Sequence, residues 1–523
     1  MRTATPGAWG RREALAVFLL ALAPRLLHWW FVRATPLAGE YVPDLSAYLF
    51  AVQRLMASAY FFVEPMVMSP GYALVLAPQY ILLGPDVPAF VLVNAVLDAC
   101  SAVLAGGLAA RMAGAGGAPE DERRAGLLAG ILYALCGPLL FYALLPLGEG
   151  PAVFCLLLGL TLLFRREGRA GSLAPWLAGA LFALAALIRP NMAPAILLAL
   201  GVWGGFSWRR CGGRTAGPAL ARCLLGCLLV LAPFMAHNAA VAGRASPFGF
   251  QGGFTLYSGN HPGASGVGDS LPGFDNTPYL VLMQAWQRAE AESGSRLSLG
   301  EADAWWYGKA WRFFADHTAE AAGLLGRKAL LLANNSGLDA TANLGFSARF
   351  SPVPGWLALP AGLVLALGAA GAVGLWRRKP EAAAIAALLL GQAALLLLFQ
   401  VTPRYRVVLL PLAIILGAAW AAGVPALWRS GTRRALALPL ACFALVLGLS
   451  LIPLKALVDK PGVEAQEHAR LAQYYLLRGP QAKAQEEFAA ALALGAPEPE
   501  RLKAGLAASR LLGGQDATPR PFP

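Results

Sequence analysis

Charged residues are scarce in this chain. They make up 14% of its 523 residues, whereas soluble globular proteins carry about 25%. Hydrophobic residues reach 57% and the mean hydropathy is +0.56, which excludes a disordered or collagen-like chain. The composition also overrides the expectation, from length alone, of about three soluble domains. The class that remains is a protein that crosses a membrane several times.

Cysteine is scarce too, with 7 in the whole chain, too few for a secreted scaffold held by disulfides. Cys223 and Cys227 stand one helix turn apart, but no further ligand accompanies them. We therefore interpret them as packing residues and not as a metal site. A small-residue cleavage site is missing between Met1 and Val32, so this segment predicts a first span and not a removable signal peptide.

Apolar runs long enough to cross a hydrocarbon core of roughly 30 Å recur along the chain, and they predict an all-α polytopic protein with about eleven membrane-spanning helices. The shorter apolar stretch 70–84 opens with Ser-Pro-Gly, and we predict that it lies at the outer membrane surface. The predicted spans are 13–33, 87–110, 125–145, 149–164, 173–188, 191–207, 219–237, 356–376, 381–400, 404–428 and 435–454.

Basic residues concentrate in alternate short loops between these spans. Such loops face the cytoplasm, so we predict a cytoplasmic N-terminus and, with an odd number of spans, a tail on the opposite side. The basic residues concerned are Arg2, Arg11 and Arg12, then Arg111, Arg123 and Arg124, then Arg165, Arg166 and Arg169, then Arg209, Arg210 and Arg214, then Arg377, Arg378 and Lys379, then Arg429, Arg433 and Arg434.

The topology divides the chain into four parts. Residues 1–237 form an N-terminal transmembrane core with an outer loop at 34–86, and residues 238–355 form a large outer segment. Residues 356–455 supply the last spans, and residues 456–523 a polar tail. In the outer segment, Ser298 and Glu301 form a capping box that predicts the start of a helix. Its aromatic residues are typical of a helix at the membrane interface.

The tail predicts two helices, Glu464–Leu477 and Gln481–Leu494, separated by Gly479-Pro480, and a third at about 498–512. One and a half repeats cannot form a stable solenoid alone, so we expect the tail to dock on the membrane domain or on a protein partner. Residues at tetratricopeptide spacing are Leu471, Ala472, Tyr475, Ala484, Phe488 and Ala491, with Pro497 near the closing position.

Two acidic residues are candidates for chemistry on the outer side. Asp44 opens an amphipathic segment, where it is either a helix cap or a carboxylate that takes a proton from a hydroxyl. Glu149 lies in the short turn Gly148-Glu149-Gly150 close to the membrane. An unpaired charge is costly there, which favours a functional role for this residue. Glu64 and Tyr48 in the first outer loop are further candidates.

Basic residues on the outer side are few. Arg404 and Arg406 begin one span, and Arg189 ends another at the same level. Guanidinium groups at this depth predict bidentate binding of a phosphate or pyrophosphate. Ordinary lipid headgroups are the alternative ligand.

Arg25 and Asp98 lie deeper, each about twelve residues into its predicted span and so near the middle of the membrane. Asn94 is one helix turn from Asp98. We prefer a structural ion pair between the first two spans. The alternative is a proton-relay or ion-transport site.

These residues, in this order, resemble the polyprenyl-phosphate-sugar-dependent glycosyltransferases of the GT-C fold. The nearest resemblance is to the bacterial family 39 type, related to protein O-mannosyltransferases and aminoarabinose transferases, and a C-terminal tetratricopeptide segment is similar to one branch of these proteins. The resemblance is carried by Asp44 with Tyr48, Glu64-Pro65, Ser69-Pro70-Gly71-Tyr72, Leu82-Leu83-Gly84, Leu187-Ile188-Arg189-Pro190, His237-Asn238, Gly252-Gly253-Phe254, Tyr257-Ser258-Gly259-Asn260, Gly266, Arg327-Lys328, Arg404-Tyr405-Arg406 and Pro411.

The resemblance implies an inverting transferase that moves a sugar from a polyprenyl-phosphate donor to an acceptor hydroxyl on a protein, lipid or glycan. It implies action at the outer face of a bacterial inner membrane, with Asp44 as general base. Glu149 is the second catalytic candidate, from its position near the membrane. Phosphate is a good leaving group, so the enzyme needs a base and cations but no general acid. Arg404 and Arg406 would supply these cations, and Arg189 and Lys328 are further candidates.

His237 stands where relatives often have arginine, and it joins Asn260 among the candidates for acceptor binding. The carboxylates show no metal-ligand spacing, so no cofactor is predicted with certainty, although some GT-C enzymes use a divalent metal. Two other classes remain open. One is a transporter or flippase for a lipid-linked sugar, centred on Arg25 and Asp98, and the other is an O-antigen ligase or polymerase. Nothing in the sequence indicates nucleic-acid binding.

Overall fold

The computed structural model describes residues 9–38, 43–57, 66–113, 119–165, 172–267, 271, 273–274, 278–335, 344–356, 359–430, 432–453, 460–496 and 499–513. All regular secondary structure in these residues is helical, which confirms the prediction of an all-α protein with several apolar helices. The helices are α1 (Arg11–Val32), α2 (Pro43–Met56), α3 (Gly71–Leu83), α4 (Val87–Ala113), α5 (Pro119–Leu135), α6 (Gly137–Ala143), α7 (Glu149–Leu163), α8 (Ala174–Ile188), α9 (Ala193–Cys211), α10 (Gly213–Ala242), α11 (Gly252–Ser258), α12 (Pro278–Ser293), α13 (Leu299–Asp316), α14 (Thr318–Ala333), α15 (Leu344–Ser347), α16 (Val353–Trp356), α17 (Ala361–Leu375), α18 (Pro380–Leu398), α19 (Pro403–Arg406), α20 (Leu409–Arg429), α21 (Arg434–Ser450), α22 (Lys460–Arg478), α23 (Gln481–Ala493) and α24 (Pro499–Gly513).

Every predicted span coincides with a helix or a helix pair. In the described residues, five segments are long and apolar enough to cross a membrane: Arg11–Val32, Val87–Ala113, Ala216–Ala242, Pro380–Leu398 and Pro403–Arg429. The other predicted spans fall on shorter or more polar helices, so the number eleven stays a prediction. The predicted surface stretch 70–84 is also helical, as α3.

The predicted span 125–145 is interrupted. The run 125–145 divides at Cys136 into α5 and the short α6, whose second residue is Pro138. Proline lacks an amide hydrogen and crowds the preceding turn, so it starts a helix more readily than it continues one. The prediction of a single unbroken helix here was wrong in that detail.

Helix α20 lies at the centre of the bundle and packs against α17, α5, α4 and α18. Small residues allow the closest approach. A Cβ atom at Gly371 of α17 would lie 2.2 Å from the carbonyl oxygen of Leu416 in α20, so only glycine permits this backbone contact. Close packing through small residues is how membrane helices associate without a hydrophobic driving force between them.

The loops predicted to be cytoplasmic meet at one end of the bundle. Arg123 pairs with Glu13 at 3.0 Å, and Arg111 lies 3.7 Å from Glu381. Arg210 donates to carbonyl oxygens in the loop between α17 and α18, at 2.6 and 2.9 Å. This clustering agrees with the predicted alternation of loops, while the identity of this end as the cytoplasmic one stays a prediction. We call the opposite end the outer end.

The outer segment contains the predicted capped helix. Ser298 accepts the amide N–H of Glu301 at the start of α13, and the Glu301 carboxylate accepts the amide N–H of Ser298 at 2.8 Å. The aromatic side chain of Trp306 is buried against Phe254 of α11 and donates to the carbonyl of Ala285 in α12 at 3.0 Å. The capping box and the aromatic run therefore build a packed helical layer.

The tail docks on the rest of the chain, which is one of the two predicted outcomes. Its helices share a buried apolar cluster with Val32 at the outer end of α1, with Leu37, and with Phe346 of α15. Glu487 of α23 is buried and accepts from Arg349 at 2.6 Å and from His468 at 2.5 Å. The tail is thus held by both apolar contacts and an ion pair, whereas its assignment as tetratricopeptide repeats stays a prediction.

Candidate active site at the outer helix ends

Four charged side chains meet at the outer end of the bundle. Arg404 donates through Nε to Glu149 Oε1 and through Nη1 to Asp44 Oδ2, and Arg189 pairs with the same Glu149 oxygen. We call Asp44, Glu149, Arg189 and Arg404 the outer charge cluster. All four were candidates from the sequence, and they come from four separate elements of the chain.

Local helix chemistry favours each charge where it stands. Glu149 is the first residue of α7 and Asp44 lies in the first turn of α2, where helix dipoles stabilise negative charge. Arg189 follows the last residue of α8, where the dipole stabilises positive charge, and Pro190 prevents the helix from continuing. Arg404 sits in α19, which Thr402 caps by accepting the amide N–H of Tyr405 at 3.2 Å.

Close backbone contact places α3 against the turn that holds Arg189. A Cβ atom at Gly71 would lie 2.2 Å from the amide nitrogen of Ile188. Glycine is therefore required at the start of α3 for this approach. The contact explains the Ser-Pro-Gly signal in physical terms, because it fixes the position of the residue before Arg189.

Exposure to solvent increases across the outer charge cluster. The Glu149 side chain is 0% exposed, Arg404 7%, Arg189 13% and Asp44 16%. Two carboxylates and two guanidinium groups sum to no net charge, which makes their joint burial tolerable. A reactant that reaches this cluster therefore meets Asp44 first.

Polar and aromatic neighbours hold the cluster in place. Tyr48 packs edge-on against Tyr72 with ring centroids 4.8 Å apart. Burial, followed by the charge of Asp44, raises the pKa of Tyr48, so its phenol stays protonated at neutral pH. The Arg189 guanidinium lies over the Tyr405 ring, 5.1 Å from its centroid.

Asn94 supports the turn before Glu149, a role that sequence reasoning missed. Its amide nitrogen donates to the Leu145 carbonyl at 3.3 Å and to the Leu147 carbonyl at 3.5 Å. We had grouped Asn94 with Asp98 because both lie on one face of a helix. The signal that could have separated them is depth, since Asn94 is one turn nearer the outer end.

Arg406 and Lys328 are engaged by backbone carbonyls. Arg406 donates to the carbonyls of Leu331 and Leu332 at 3.3 and 3.4 Å, and so caps the C-terminus of α14. Lys328 is fully buried and donates to Asn260 Oδ1 at 2.7 Å and to the Phe399 carbonyl at 2.6 Å. These contacts join α14 of the outer segment to α19 and to the end of α18.

The remaining candidates fall elsewhere. Asn260 also donates to the Leu398 carbonyl at 2.8 Å and thus belongs to the Lys328 contact. His237 is fully buried in α10. Glu64 lies outside the described residues. Within the described part of the chain, no group of three or more His, Cys, Asp or Glu side chains is placed to hold a metal ion.

A second buried charge cluster lies deep in the bundle. Arg25 donates to Asp98 at 2.5 Å and to the Ala21 carbonyl at 2.8 Å, and Tyr133 donates to the other Asp98 oxygen at 2.7 Å. We call Arg25, Asp98 and Tyr133 the inner charge cluster. The ion pair agrees with the preferred interpretation of the sequence. The hydrogen bond from Tyr133 is not among the sequence predictions.

An apolar groove of about 750 Å³ runs between α9, α14, α17, α18 and α21. Its lining extends from Leu332 and Ala333 at the outer end to Trp376 at the opposite end, and every lining side chain is apolar apart from the thiol of Cys442. Arg406 binds the Leu332 carbonyl, so a cation borders the outer end of the groove. Such a space accommodates an extended hydrocarbon chain.

Comparisons with known proteins give weak similarities. No family model and no curated protein matches the sequence. The chain is similar to the archaeal oligosaccharyltransferase AglB from Archaeoglobus fulgidus, solved with an inhibitory peptide and a dolichol-phosphate, at 14% identity and a TM-score of 0.44 over 91% of this chain. It is also similar to the apo form of the Archaeoglobus fulgidus oligosaccharyltransferase, at 15% identity and a TM-score of 0.45 over 98% of this chain. The chain spans 59% and 61% of the lengths of those two structures, and similarity of this strength does not assign an activity.

Proposed function

We propose that this protein is a membrane glycosyltransferase of the GT-C type that uses a polyprenyl-phosphate sugar. The observation that carries the proposal is the outer charge cluster, in which the partly exposed carboxylate of Asp44 shares one guanidinium group with the buried carboxylate of Glu149. A proton acceptor and a phosphate-binding cation thus stand side by side. They are the two groups that transfer from a phosphate leaving group requires.

The proposed reaction is a single displacement. The acceptor hydroxyl oxygen forms a bond to the anomeric carbon of the sugar and gives its proton to Asp44. The bond between that carbon and the phosphate oxygen breaks, and the electron pair leaves with the phosphate. Arg404, together with Arg189, stabilises the developing charge. One displacement inverts the anomeric centre.

Glu149 has a supporting part in this reaction. It lies between Arg189 and Arg404 and pairs with both, so it orients the two cations toward one phosphate. Arg406 and Lys328 hold the outer segment against the spans in our proposal, because their described donors are directed at carbonyls. We assign acceptor binding to the side of the cluster on which Tyr48 and the first outer loop lie.

The apolar groove suits the lipid part of the donor. It runs along about ten residues of α18, from Ala383 to Ala393, or about 15 Å at 1.5 Å per residue. Its apolar lining suits a polyprenyl chain, and its length suits the first few isoprene units of that chain. The donor phosphate would then lie at the outer end of the bundle, beside the arginines of the outer charge cluster. We place this outer end on the extracytoplasmic side of a bacterial inner membrane.

The transporter alternative is weakened by the contacts of its residues. A midplane binding site needs groups that are open to a ligand. Arg25 and Asp98 instead pair with each other and with Tyr133, and Asn94 supports the turn before Glu149. The ligase or polymerase alternative differs in its donor, which is linked through pyrophosphate, and is decided by the choice of substrates below.

The experiment is a release assay. Purified full-length protein is incubated with short-chain polyprenyl-phosphate sugars, with the matching pyrophosphate-linked sugars, and with a mixture of acceptors. The released lipid is measured, which is polyprenyl phosphate from the first donors and polyprenyl pyrophosphate from the second. We expect release from the monophosphate donors, its loss in Arg404→Ala, and no loss in Arg123→Ala, which removes an exposed arginine at the opposite end. Release from pyrophosphate donors alone would contradict the proposed donor. No release from any donor would contradict the activity.

A further inference from the structure

We propose that Asp44 competes with the donor phosphate for Arg404, so that the free enzyme holds its base in an ion pair that donor binding opens. The inference rests on the proposed function and adds an order of events to it. Without donor, Asp44 is neutralised by Arg404. With donor bound, Asp44 is released as a free carboxylate next to the acceptor.

The first step of the argument is the set of donors that Arg404 uses. A phosphate binds arginine through two parallel N–H groups of the planar guanidinium. In the structure Nε is directed at Glu149 and Nη1 at Asp44. Both carboxylates therefore occupy guanidinium N–H groups that a bidentate phosphate would use.

The second step is the difference between the two carboxylates. Glu149 is 0% exposed, stands at the start of a span, and pairs with Arg189 as well as Arg404. Asp44 is the most exposed member of the cluster, at 16%, and its described ion pair is with Arg404. Moving Glu149 would leave a buried charge unpaired, which is strongly destabilising. Asp44 is thus the carboxylate that yields.

The third step is the charge balance. The outer charge cluster holds two positive and two negative groups and is neutral. A donor phosphodiester brings one further negative charge. If Asp44 kept its contact, the largely buried cluster would carry an excess negative charge, whereas withdrawal of Asp44 toward solvent leaves two cations opposite Glu149 and the phosphate. Donor binding and release of the base are therefore coupled.

The test measures binding and not turnover. The probe is farnesyl phosphate, a short polyprenyl phosphate, titrated into the purified full-length protein in detergent. Asp44→Asn removes the competing charge but keeps the shape and the capping ability of the residue. Asp86→Asn is the matched control, because Asp86 is an exposed cap at the start of α4 that accepts the Ala89 amide at 3.2 Å. Thermal unfolding checks that each variant is folded, and Asp44→Ser, which also caps without charge, replaces Asp44→Asn if that variant is not.

We expect Asp44→Asn to bind farnesyl phosphate about tenfold to a hundredfold more tightly than wild type, the range that corresponds to one charge-assisted hydrogen bond. Asp86→Asn should bind like wild type. In an Arg404→Ala background the gain from Asp44→Asn should vanish, because the two residues act through one contact.

Three results would overturn the proposal. Unchanged or weaker binding by Asp44→Asn, with the expected loss in Arg404→Ala, shows that Asp44 does not compete and leaves the phosphate site itself intact. The same gain with and without Arg404 shows that the effect is general electrostatics and not competition for this arginine. If Arg404→Ala binds as well as wild type, the proposed phosphate site fails, and the competition fails with it.

Discussion

The protein contains two buried charge clusters that differ in construction. In the inner charge cluster, Arg25, Asp98 and Tyr133 come from three neighbouring helices, α1, α4 and α5, and the Arg25 and Asp98 side chains are 0% and 3% exposed. In the outer charge cluster the groups stand at helix ends, two cations share one carboxylate, and exposure increases toward Asp44. The inner groups are matched to each other, whereas in our proposal the outer groups hold contacts that a ligand replaces. Buried charge alone is therefore a poor guide to function, and the access of each group to a ligand is the better one.

The largest expected effect concerns Asp44. Asp44→Asn should lower turnover by about 10²–10⁴, because a general base contributes that much, while asparagine keeps the shape and the capping ability of the residue. The measurement is the release assay at saturating donor, with Asp86→Asn as the control. If Asp44 were only a helix cap, asparagine would serve nearly as well. Turnover within about threefold of wild type would thus remove Asp44 from the chemistry, since it is well short of the hundredfold expected of a base.

The inner charge cluster should respond in stability and not in chemistry. Asp98→Ala leaves Arg25 buried without its ion pair, so we expect a loss of about 3–5 kcal/mol in the free energy of unfolding. Replacing both partners, with Arg25→Met and Asp98→Leu together, should restore most of that loss. The measurement is unfolding in a denaturing detergent series. A folded double variant that lost turnover a hundredfold would show that this cluster takes part in the reaction.

A smaller effect should come from the ring under Arg189. Tyr405→Leu removes a cation–π contact worth about 0.5–2 kcal/mol, so we expect donor KM to rise about twofold to thirtyfold with little change in kcat. Tyr405→Phe keeps the ring and loses only the contact between the phenol and Gln400 at 3.4 Å, and it should behave like wild type. Equal effects of the two variants would show that the phenol, and not the ring face, supports Arg189.

The smallest effect should come from Asp303, a partly buried carboxylate that belongs to neither cluster. It accepts the Gly253 amide at 2.7 Å, and burial raises its pKa above the usual value of 3.8. The neutral form is favoured in the fold, so its stabilising contribution is present below pH 3.8 and is lost as pH rises through the raised pKa. Asp303→Asn should therefore lose less stability than wild type between pH 4 and pH 7, measured by thermal unfolding of the full chain. An identical loss in both proteins would show that Asp303 is not the titrating group.

Much of this fold could be predicted from the sequence because its strongest signals are local. Span positions follow from apolar length, and the end of the bundle at which each loop lies follows from arginine alternation. The helix α13 follows from a capping box. The break at Cys136 was missed although Pro138 signals it, because the apolar run continues across it and hydropathy does not register backbone geometry.

The candidate site shows where prediction from sequence ends. Arg404 and Arg406 are equivalent by composition and depth. They stand two positions apart, however, which on a helix of 3.6 residues per turn is about 200° around the axis, so the two side chains reach different neighbours. Arg404 meets carboxylates from distant elements, whereas Arg406 meets the end of α14. Whether Tyr133 of α5 reaches Asp98 depends in the same way on the rotation of α5 about its axis. Neither the direction of a side chain around its helix nor the rotation of a helix about its axis can be read from the residues themselves.

The docking of the tail has a consequence for how the protein is made. Helices α22 to α24 follow α1 and α15 in the chain, so during synthesis the apolar surface formed by Val32, Leu37 and Phe346 is uncovered until these three helices emerge. The tail then covers this surface, and Glu487 pairs with Arg349. Protection of this surface therefore reports that the chain has been made as far as the tail. A chain that stopped after α21 would leave these three apolar side chains without the cover of the tail.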